Sequence, residues 1–138
     1  MARHDHTGRS KGERHVRLTY FLMGTPAWLS LTPAGRAVYL EVARLYNGSN
    51  NGLLGLSVRD AAKRCRINKD TAARALRILE ARGFIECVVP GGFSRKTPHA
   101  AEWRLTEWRC DASHALPSKA YQHWRPTGGA GEPQNTVR

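Results

Sequence analysis

Cationic side chains recur along one predicted helix, within the stretch "NKDTAARALRILEARGFIE" from Asn68 to Glu86. Asn68 is a typical N-cap residue and Gly83 stands where a left-handed C-cap belongs, so the stretch predicts a helix over residues 68–82. Guanidinium and ammonium groups on an outward helix face are either solvated or bound to an anionic partner, and arginine can bind through two parallel hydrogen bonds. The outward positions of interest are Lys69, Asp70, Ala73, Arg74 and Arg77.

The other side of this predicted helix is apolar. Small and branched apolar residues recur at positions i, i+3, i+4 and i+7, which is the pattern of a helix packed against a core. They are Ala72, Ala75, Leu76 and Leu79. The cationic side chains are therefore expected to face away from the core.

The charge of the chain points to a polyanionic partner. Lys and Arg number 22 against 11 acidic residues, which gives a net charge of +11 and a pI near 10.4 over 138 residues. Residues 59–104 hold 11 basic and 5 acidic residues, and residues 1–17 hold 5 basic and 2 acidic residues. Such a concentrated excess usually marks a nucleic-acid partner.

Several other classes of protein are disfavoured by the sequence. No apolar run approaches the ~20 residues of a membrane span, and the first residues lack the apolar segment of a secretory signal. Three widely spaced cysteines without a C-x-x-C pair fit a reduced compartment. We therefore expect a cytoplasmic, nucleoid-associated protein without a membrane partner.

Enzymatic motifs are also missing from the sequence. It has neither a phosphate-binding G-x-x-x-x-G-K-[ST] loop nor a G-x-S-x-G nucleophile motif, and its 11 acids do not cluster as a catalytic pair. No recognisable set of four metal ligands occurs. The expectation is a protein that is not an enzyme and binds no metal or cofactor.

Further elements surround the cationic helix. Thr32-Pro33 predicts the start of a helix over residues 33–46, because Pro is favoured at the first helical position, and Thr25-Pro26 predicts a short helical turn. "SVRDAAKRC" predicts a helix that is capped by Ser57, and "LLGLS" predicts a brief strand or an extended connector. "FIECVV" and "AAEWRL" alternate weakly and predict a β-hairpin with a long basic tip.

Three regions are expected along the chain. Residues 1–15 are polar and basic and predict a disordered arm. Residues 16–108 form the folded domain, and residues 109–138 form a C-terminal extension that is mostly flexible, with a possible short helix in "LPSKAYQHW".

The stretch "LSVRDAAKRCRINKDTAARALRILEARGFIE" resembles the helix-turn-helix core of bacterial winged-helix regulators. The shared pattern is "S-x-x-x-A-A-x-x-x-x-I-x-x-x-T-A-x-R-A-L-x-x-L-E-x-x-G-F-I". With the preceding "TPAWLSLTPAGRAVYLEVARLYNGSNNG", the chain is also similar to uncharacterised winged-helix proteins of phages and plasmids and to replisome-organiser N-terminal domains. The resemblance covers residues 18–106. It implies a mainly α fold with a small β-hairpin (α+β), a winged helix-turn-helix with a three-helix core plus wing.

The resemblance implies a sequence-specific double-stranded DNA-binding protein, a transcriptional regulator. Its recognition helix, residues 68–82, would enter the major groove, and its wing, residues 91–98, would lie on the adjacent backbone or minor groove. The expected base contacts are Lys69, Asp70, Ala73, Arg74 and Arg77. The expected backbone contacts are Ser57, Arg59, Lys63, Arg64, Arg66, Asn68 and Thr71. The expected wing contacts are Ser94, Arg95, Lys96 and Thr97, and the expected arm contacts are Arg3, Arg9, Lys11 and Arg14.

Two other functions stay open at this stage. An accessory protein of phage or plasmid DNA replication or recombination would use the same surface and recruit a protein partner through the C-terminal extension. A winged-helix protein-interaction module would bind no nucleic acid. A homodimer is also open, with the helix over residues 33–46, the segment 18–30 or the "AYQHW" region as the contact.

Overall fold

The computed structural model of the chain describes residues 13–92 and 99–127. Within them the protein is α+β, with five α-helices and a small antiparallel sheet of three strands. The helices are α1 (Tyr20–Met23), α2 (Pro26–Leu29), α3 (Pro33–Arg44), α4 (Val58–Cys65) and α5 (Lys69–Ala81). The strands are β1 (Leu54–Gly55), β2 (Ile85–Val89) and β3 (Glu102–Leu105), and a 3-10 helix covers Ala120–Gln122.

Side-chain caps set the starts of the early helices. The Thr32 hydroxyl oxygen accepts a hydrogen bond from the Gly35 N–H at 3.1 Å, and Thr25 does the same for the Trp28 N–H at 3.2 Å. Each cap satisfies one of the free N–H groups at a helix start. The Pro at the first helical position has no N–H, so it adds no group that needs a partner. Both predicted starts are confirmed. Helix α3 ends at Arg44, two residues earlier than predicted.

A tight turn joins α4 to α5 and fixes the direction of the second helix. Arg66 adopts the left-handed conformation, with φ 57° and ψ 47°, and its N–H returns to the Ala62 carbonyl. The Asn68 side-chain oxygen then accepts from the Thr71 N–H at 2.7 Å. Three residues separate the two helices, so the chain changes direction within this turn while α4 and α5 remain packed together.

The sheet has one strand more than the predicted hairpin. Strand β3 lies in the middle, with β1 and β2 on either side, and both pairings are antiparallel. The register places Trp103 opposite Leu54 on one side and opposite Cys87 on the other. Strand β1 has two residues and lies within "LLGLS", where the sequence predicts a brief strand or an extended connector, so the brief strand is confirmed. Its pairing with β3 is not predicted by the sequence. The strand is held in part by the Trp103 indole N–H, which donates to the Leu56 carbonyl at 3.0 Å.

Aromatic rings form the centre of the core. The rings of Trp28, Tyr39 and Phe84 meet edge to face, with centroids 5.5–6.0 Å apart. Phe84 also stacks on Tyr121, with centroids 5.1 Å apart and planes inclined by 5°. Aromatic pairs of this kind add ~0.5–1.5 kcal/mol beyond the area they bury. The core thus joins α2, α3, the start of β2 and the 3-10 helix.

Residues after β3 are part of this core. The sequence predicts a mostly flexible extension from residue 109, whereas Cys110 and Tyr121 are buried. Gly83 has a φ of +86°, as its predicted place after the helix requires, and a Cβ there would lie 2.6 Å from the Ala120 carbonyl carbon. The extension therefore packs directly on the end of α5. Its few apolar residues lack any period, so the sequence pattern does not predict this packing.

Candidate nucleic-acid interface

One face of α5 is exposed and cationic. Lys69, Asp70, Arg74 and Arg77 are exposed, and Ala73 between them is half-buried. The buried residues of the same helix are the four predicted ones, Ala72, Ala75, Leu76 and Leu79. They pack α5 against α3 and α4, so the charged residues face outward.

The cations at the centre of this face are available to a partner. Among residues 13–92 and 99–127, no ion pair joins Lys69, Arg74 or Arg77 to a carboxylate. The sequence left open whether Asp70 orients Arg74 at i+4, and no ion pair connects the two in the same part of the chain. The Asp70 carboxylate is therefore also free to accept a hydrogen bond from a ligand.

Helix α4 and the turn add a second group of cations. Arg59, Lys63, Arg64 and Arg66 are all exposed. Arg66 occupies the left-handed position of the turn itself, immediately before α5. The two groups of cations therefore lie on consecutive helices joined by three residues.

Three of the expected backbone contacts take part in helix capping. The Ser57 hydroxyl oxygen accepts from the Asp60 N–H at 3.0 Å, and the Asn68 side-chain oxygen accepts from the Thr71 N–H at 2.7 Å. The Ser57 hydroxyl and the Asn68 amide retain hydrogens that can donate to an anion. Thr71 is half-buried in the first turn of α5.

Arg64 is bound within the protein. Its Nε donates to the Glu41 carboxylate on α3 in a short hydrogen bond, and Arg44 lies 3.5 Å from the same oxygen. The Glu41 side chain is only 20% exposed, so this carboxylate is screened less than one at the open surface. Arg64 is one of the expected contacts to the DNA backbone, and in the free protein it is already paired with Glu41.

Arg82 belongs to the fold rather than to the cationic face. Its Nε donates to the Ser30 hydroxyl at 2.6 Å, and its guanidinium lies 4.7 Å from the centre of the Trp124 ring. Burial lowers the pKa of this guanidinium from its usual value. The side chain therefore anchors the C-terminal end of α5 to α2 and to the C-terminal extension.

The expected wing contacts lie outside the described residues, as do Arg3, Arg9 and Lys11 of the expected arm. The wing residues concerned are Ser94, Arg95, Lys96 and Thr97. Just before and after residues 93–98, Gly92 and His99 exchange two backbone hydrogen bonds of 3.1 and 3.0 Å, so the two ends of the basic tip are held together.

Arg44 is a cation that the sequence reasoning missed. It ends α3 and lines a groove together with Arg14, the one expected arm contact that is described, and Leu45. Leu45 also borders Lys63 and Arg64 of α4 in the neighbouring groove. Arg44 therefore lies between the arm and α4. The helix over residues 33–46 is predicted from its cap and its apolar residues, and that pattern does not single out a cation near its end.

The chain matches no protein-family model, no curated protein and no solved structure. Within the described ranges, no three His, Cys, Asp or Glu residues come together as a metal site. In the same ranges no helix is both long and apolar enough to cross a membrane.

Proposed function

We propose that this protein is a winged helix-turn-helix regulator of transcription that binds double-stranded DNA with sequence specificity. The observation that carries the proposal is the outward face of α5, where Arg74 and Arg77 are exposed and lack an ion pair within the described residues. The order of elements supports it, since α3, β1, α4 and α5 are followed by two paired strands with a basic tip.

The size of α5 suits the major groove. An α-helix with side chains is ~10–12 Å across and the groove is ~12 Å wide, so a helix enters only where its outer face is free of other elements. The outer face of α5 is free in this way. Ala73, a small residue at the centre of the face, allows the helix backbone to come close to the base edges.

Arg74 and Arg77 are assigned to the bases. Each guanidinium can donate two hydrogen bonds to the O6 and N7 atoms of guanine, the commonest specific contact in the major groove. Asp70 lies one turn before Arg74 and can accept from the amino group of cytosine. Such a set favours a G·C-containing half-site.

Phosphate contacts are assigned to α4, the turn and the start of α5. Arg59, Lys63 and Arg66 are exposed there. Lys69, one of the expected base contacts, lies in the first turn of α5, where backbone N–H groups also favour an anion, so it is assigned to a phosphate. Arg64 joins them only after it leaves Glu41. These contacts set the orientation of the protein on the duplex and carry no sequence information.

Unbiased selection of binding sites from random duplexes, with the full chain, tests the proposal. We expect one enriched motif, and binding to it that weakens linearly on a logarithmic salt scale by ~0.9 per phosphate contact. Fluorescence anisotropy with the enriched duplex and a scrambled duplex, at several salt concentrations, measures the sequence preference and the salt dependence of binding. Failure to enrich a motif, together with equal affinity for the two duplexes, would refute sequence-specific binding.

A further inference from the structure

Large apolar side chains are exposed on the two short N-terminal helices. Tyr20 and Phe21 on α1 are 90% and 64% exposed, and Leu29 on α2 is 65% exposed. The two helices pack against each other. We call these three residues the α1–α2 patch. Exposed apolar groups of this size on neighbouring elements mark an interaction surface when polar residues surround them.

The segment that carries the patch has no charge. Residues 18–35, "LTYFLMGTPAWLSLTPAG", contain no Asp, Glu, Lys, Arg or His, in a chain of net charge +11. The centres of protein interfaces are depleted of charged residues and enriched in aromatic residues and Met. The centre of this surface is therefore uncharged, which permits two copies of a strongly basic protein to approach each other there, while Arg17 and Lys119 lie at its edge.

The patch lies at the end of α5 that is remote from its N-terminus. Ser30, next to Leu29, accepts the hydrogen bond from Arg82 just after α5. Helix α2 also packs on the 3-10 helix. Phe21 borders a groove whose other side chains include Arg17, Lys119 and Gln122, and these supply a polar rim. The patch and the start of α5 are therefore at opposite ends of that helix.

We propose that the α1–α2 patch is the contact between two copies of this chain, related by a two-fold axis. Residues 1–12 and 128–138 of the same chain offer few apolar side chains that could cover the patch. Their apolar residues are Met1, Ala2, Ala130 and Val137. A two-fold axis places the same uncharged centre on both sides of the contact, so no charge is buried at that centre, and the charged side chains of the rim lie at its solvent-exposed edge.

The exposed area indicates a reversible dimer. Fully burying an aromatic side chain removes ~150–250 Å² from water, so the three side chains offer roughly 400 Å². A standard interface takes about 800 Å² from each partner. Side chains of the rim must supply the remainder, and we expect a dissociation constant on the order of 1–100 μM in the absence of DNA.

One consequence for DNA rests on the proposed function. Helix α5 has 13 residues, so its two ends are about 20 Å apart. Two copies joined near the C-terminal ends of their α5 helices hold the N-terminal ends several tens of ångströms apart. One turn of DNA, ~34 Å, is a spacing of that order, so the dimer fits a two-fold symmetric site.

Sedimentation equilibrium of the full chain without DNA tests the dimer by itself. We expect the wild-type protein to shift from monomer to dimer between about 1 and 200 μM. Leu29→Glu and Tyr20→Glu should each raise the dissociation constant at least ~10-fold, because a carboxylate would be buried at the contact. Leu53→Glu is the matched control, since Leu53 is 55% exposed in the loop before β1, and it should leave the dimer unchanged.

Three results would overturn the proposal: a wild-type protein that stays monomeric at about 200 μM, a dimer that neither patch variant weakens, or a dimer that Leu53→Glu weakens as much as Leu29→Glu does. The two patch variants act as checks on each other, and thermal melting identifies any variant that has not folded. DNA binding is read separately, as affinity for a duplex with one half-site. If the wild-type protein does not bind this duplex, the proposed function is refuted, whereas the proposed dimer is unaffected.

Discussion

The guanidinium of Arg82 lies 4.7 Å from the centre of the Trp124 ring, so the last cation of the α5 stretch is bound by the protein's own C-terminal extension. Arg74 and Arg77, on the same stretch, are exposed and form no ion pair with any described residue. The sequence presents all three as similar basic residues. The structure separates one that stabilises the fold from two that are available to a ligand.

Replacing Arg82 should therefore lower stability and leave DNA affinity unchanged. Arg82→Ala removes the contact with Trp124 and the hydrogen bond to Ser30, and we expect the free energy of unfolding to fall by about 1–2 kcal/mol. Arg82→Lys keeps the cation and should recover part of that loss. Urea unfolding and fluorescence anisotropy measure the two quantities. A variant of normal stability with weakened DNA binding would place Arg82 in the interface instead.

Much of the helical framework could be predicted from the sequence, because its signals are local. Thr32-Pro33, Asn68 and Gly83 each act through hydrogen bonds or backbone angles within a few residues, and the structure has helix ends close to those positions. The alternation of "AAEWRL" also predicts that Trp103 faces inward, and in the structure Trp103 is 7% exposed.

The contacts between distant segments could not be predicted in this way. "NGSNNG" reads as a polar turn, yet Asn51 within it is completely buried, because its partners lie more than fifty residues later. The same is true of Tyr121, whose neighbours Gly83 and Phe84 belong to the end of α5 and the start of the sheet. Likewise, nothing local to Arg64 or Glu41 shows that the two side chains are paired.

Asn51 should be among the most sensitive polar positions of the fold. Its side-chain oxygen accepts from the Leu105 N–H at 2.7 Å, and its amide donates to the carbonyls of Leu105, at 2.8 Å, and Arg109, at 2.9 Å. Asn51→Ala leaves these buried groups without partners, so we expect a loss of about 3 kcal/mol in the free energy of unfolding. Asn50→Ala, in the same loop but less buried, is the control. Equal effects of the two substitutions in urea unfolding would contradict the role assigned to Asn51.

Alkaline pH should destabilise the protein partly through Tyr121. Burial and the hydrogen bond from its hydroxyl to Glu107 raise the pKa of Tyr121 well above its usual range. Above pH ~10 the unfolded chain therefore loses this proton while the folded chain keeps it, and stability falls by up to ~1.4 kcal/mol per pH unit for this residue.

The variant Tyr121→Phe isolates that effect. It has no proton to lose, so its stability deficit relative to the wild-type protein should be smaller at pH ~11 than at pH ~8. Free energies of unfolding at the two pH values measure the difference. Tyr20→Phe, at a position that is 90% exposed in the monomer, serves as the control at protein concentrations of about 1 μM or less, where the proposed dimer is dissociated. A deficit that is constant or larger at the higher pH would show that the Tyr121 proton does not contribute.

Glu41 should weaken DNA binding in the wild-type protein, because it holds Arg64. Glu41→Gln removes the charge that pairs with both Arg64 and Arg44, and of these two Arg64 is the one expected at a phosphate. We expect tighter binding to any duplex and a salt dependence that is steeper by up to ~0.9 in logarithmic slope.

A matched control exists for this substitution. Glu86→Gln removes the same charge from β2 and breaks the ion pair with Arg104, which lies 3.2 Å from Glu86 and still donates to the Leu116 carbonyl. It should change the salt dependence less than Glu41→Gln does. The same slope for both variants would mean that only net charge matters and that Arg64 has no place at the interface.

The assignment of the α5 face to DNA bases is tested most directly by the ratio of affinities for a selected site and a scrambled duplex. Arg74→Ala and Arg77→Ala should each lower that ratio by a factor equivalent to ~1–3 kcal/mol, with little change in stability. Arg59→Ala, which removes a cation assigned to phosphate, should weaken both duplexes about equally and leave the ratio unchanged. An unchanged ratio in both α5 variants would contradict the account.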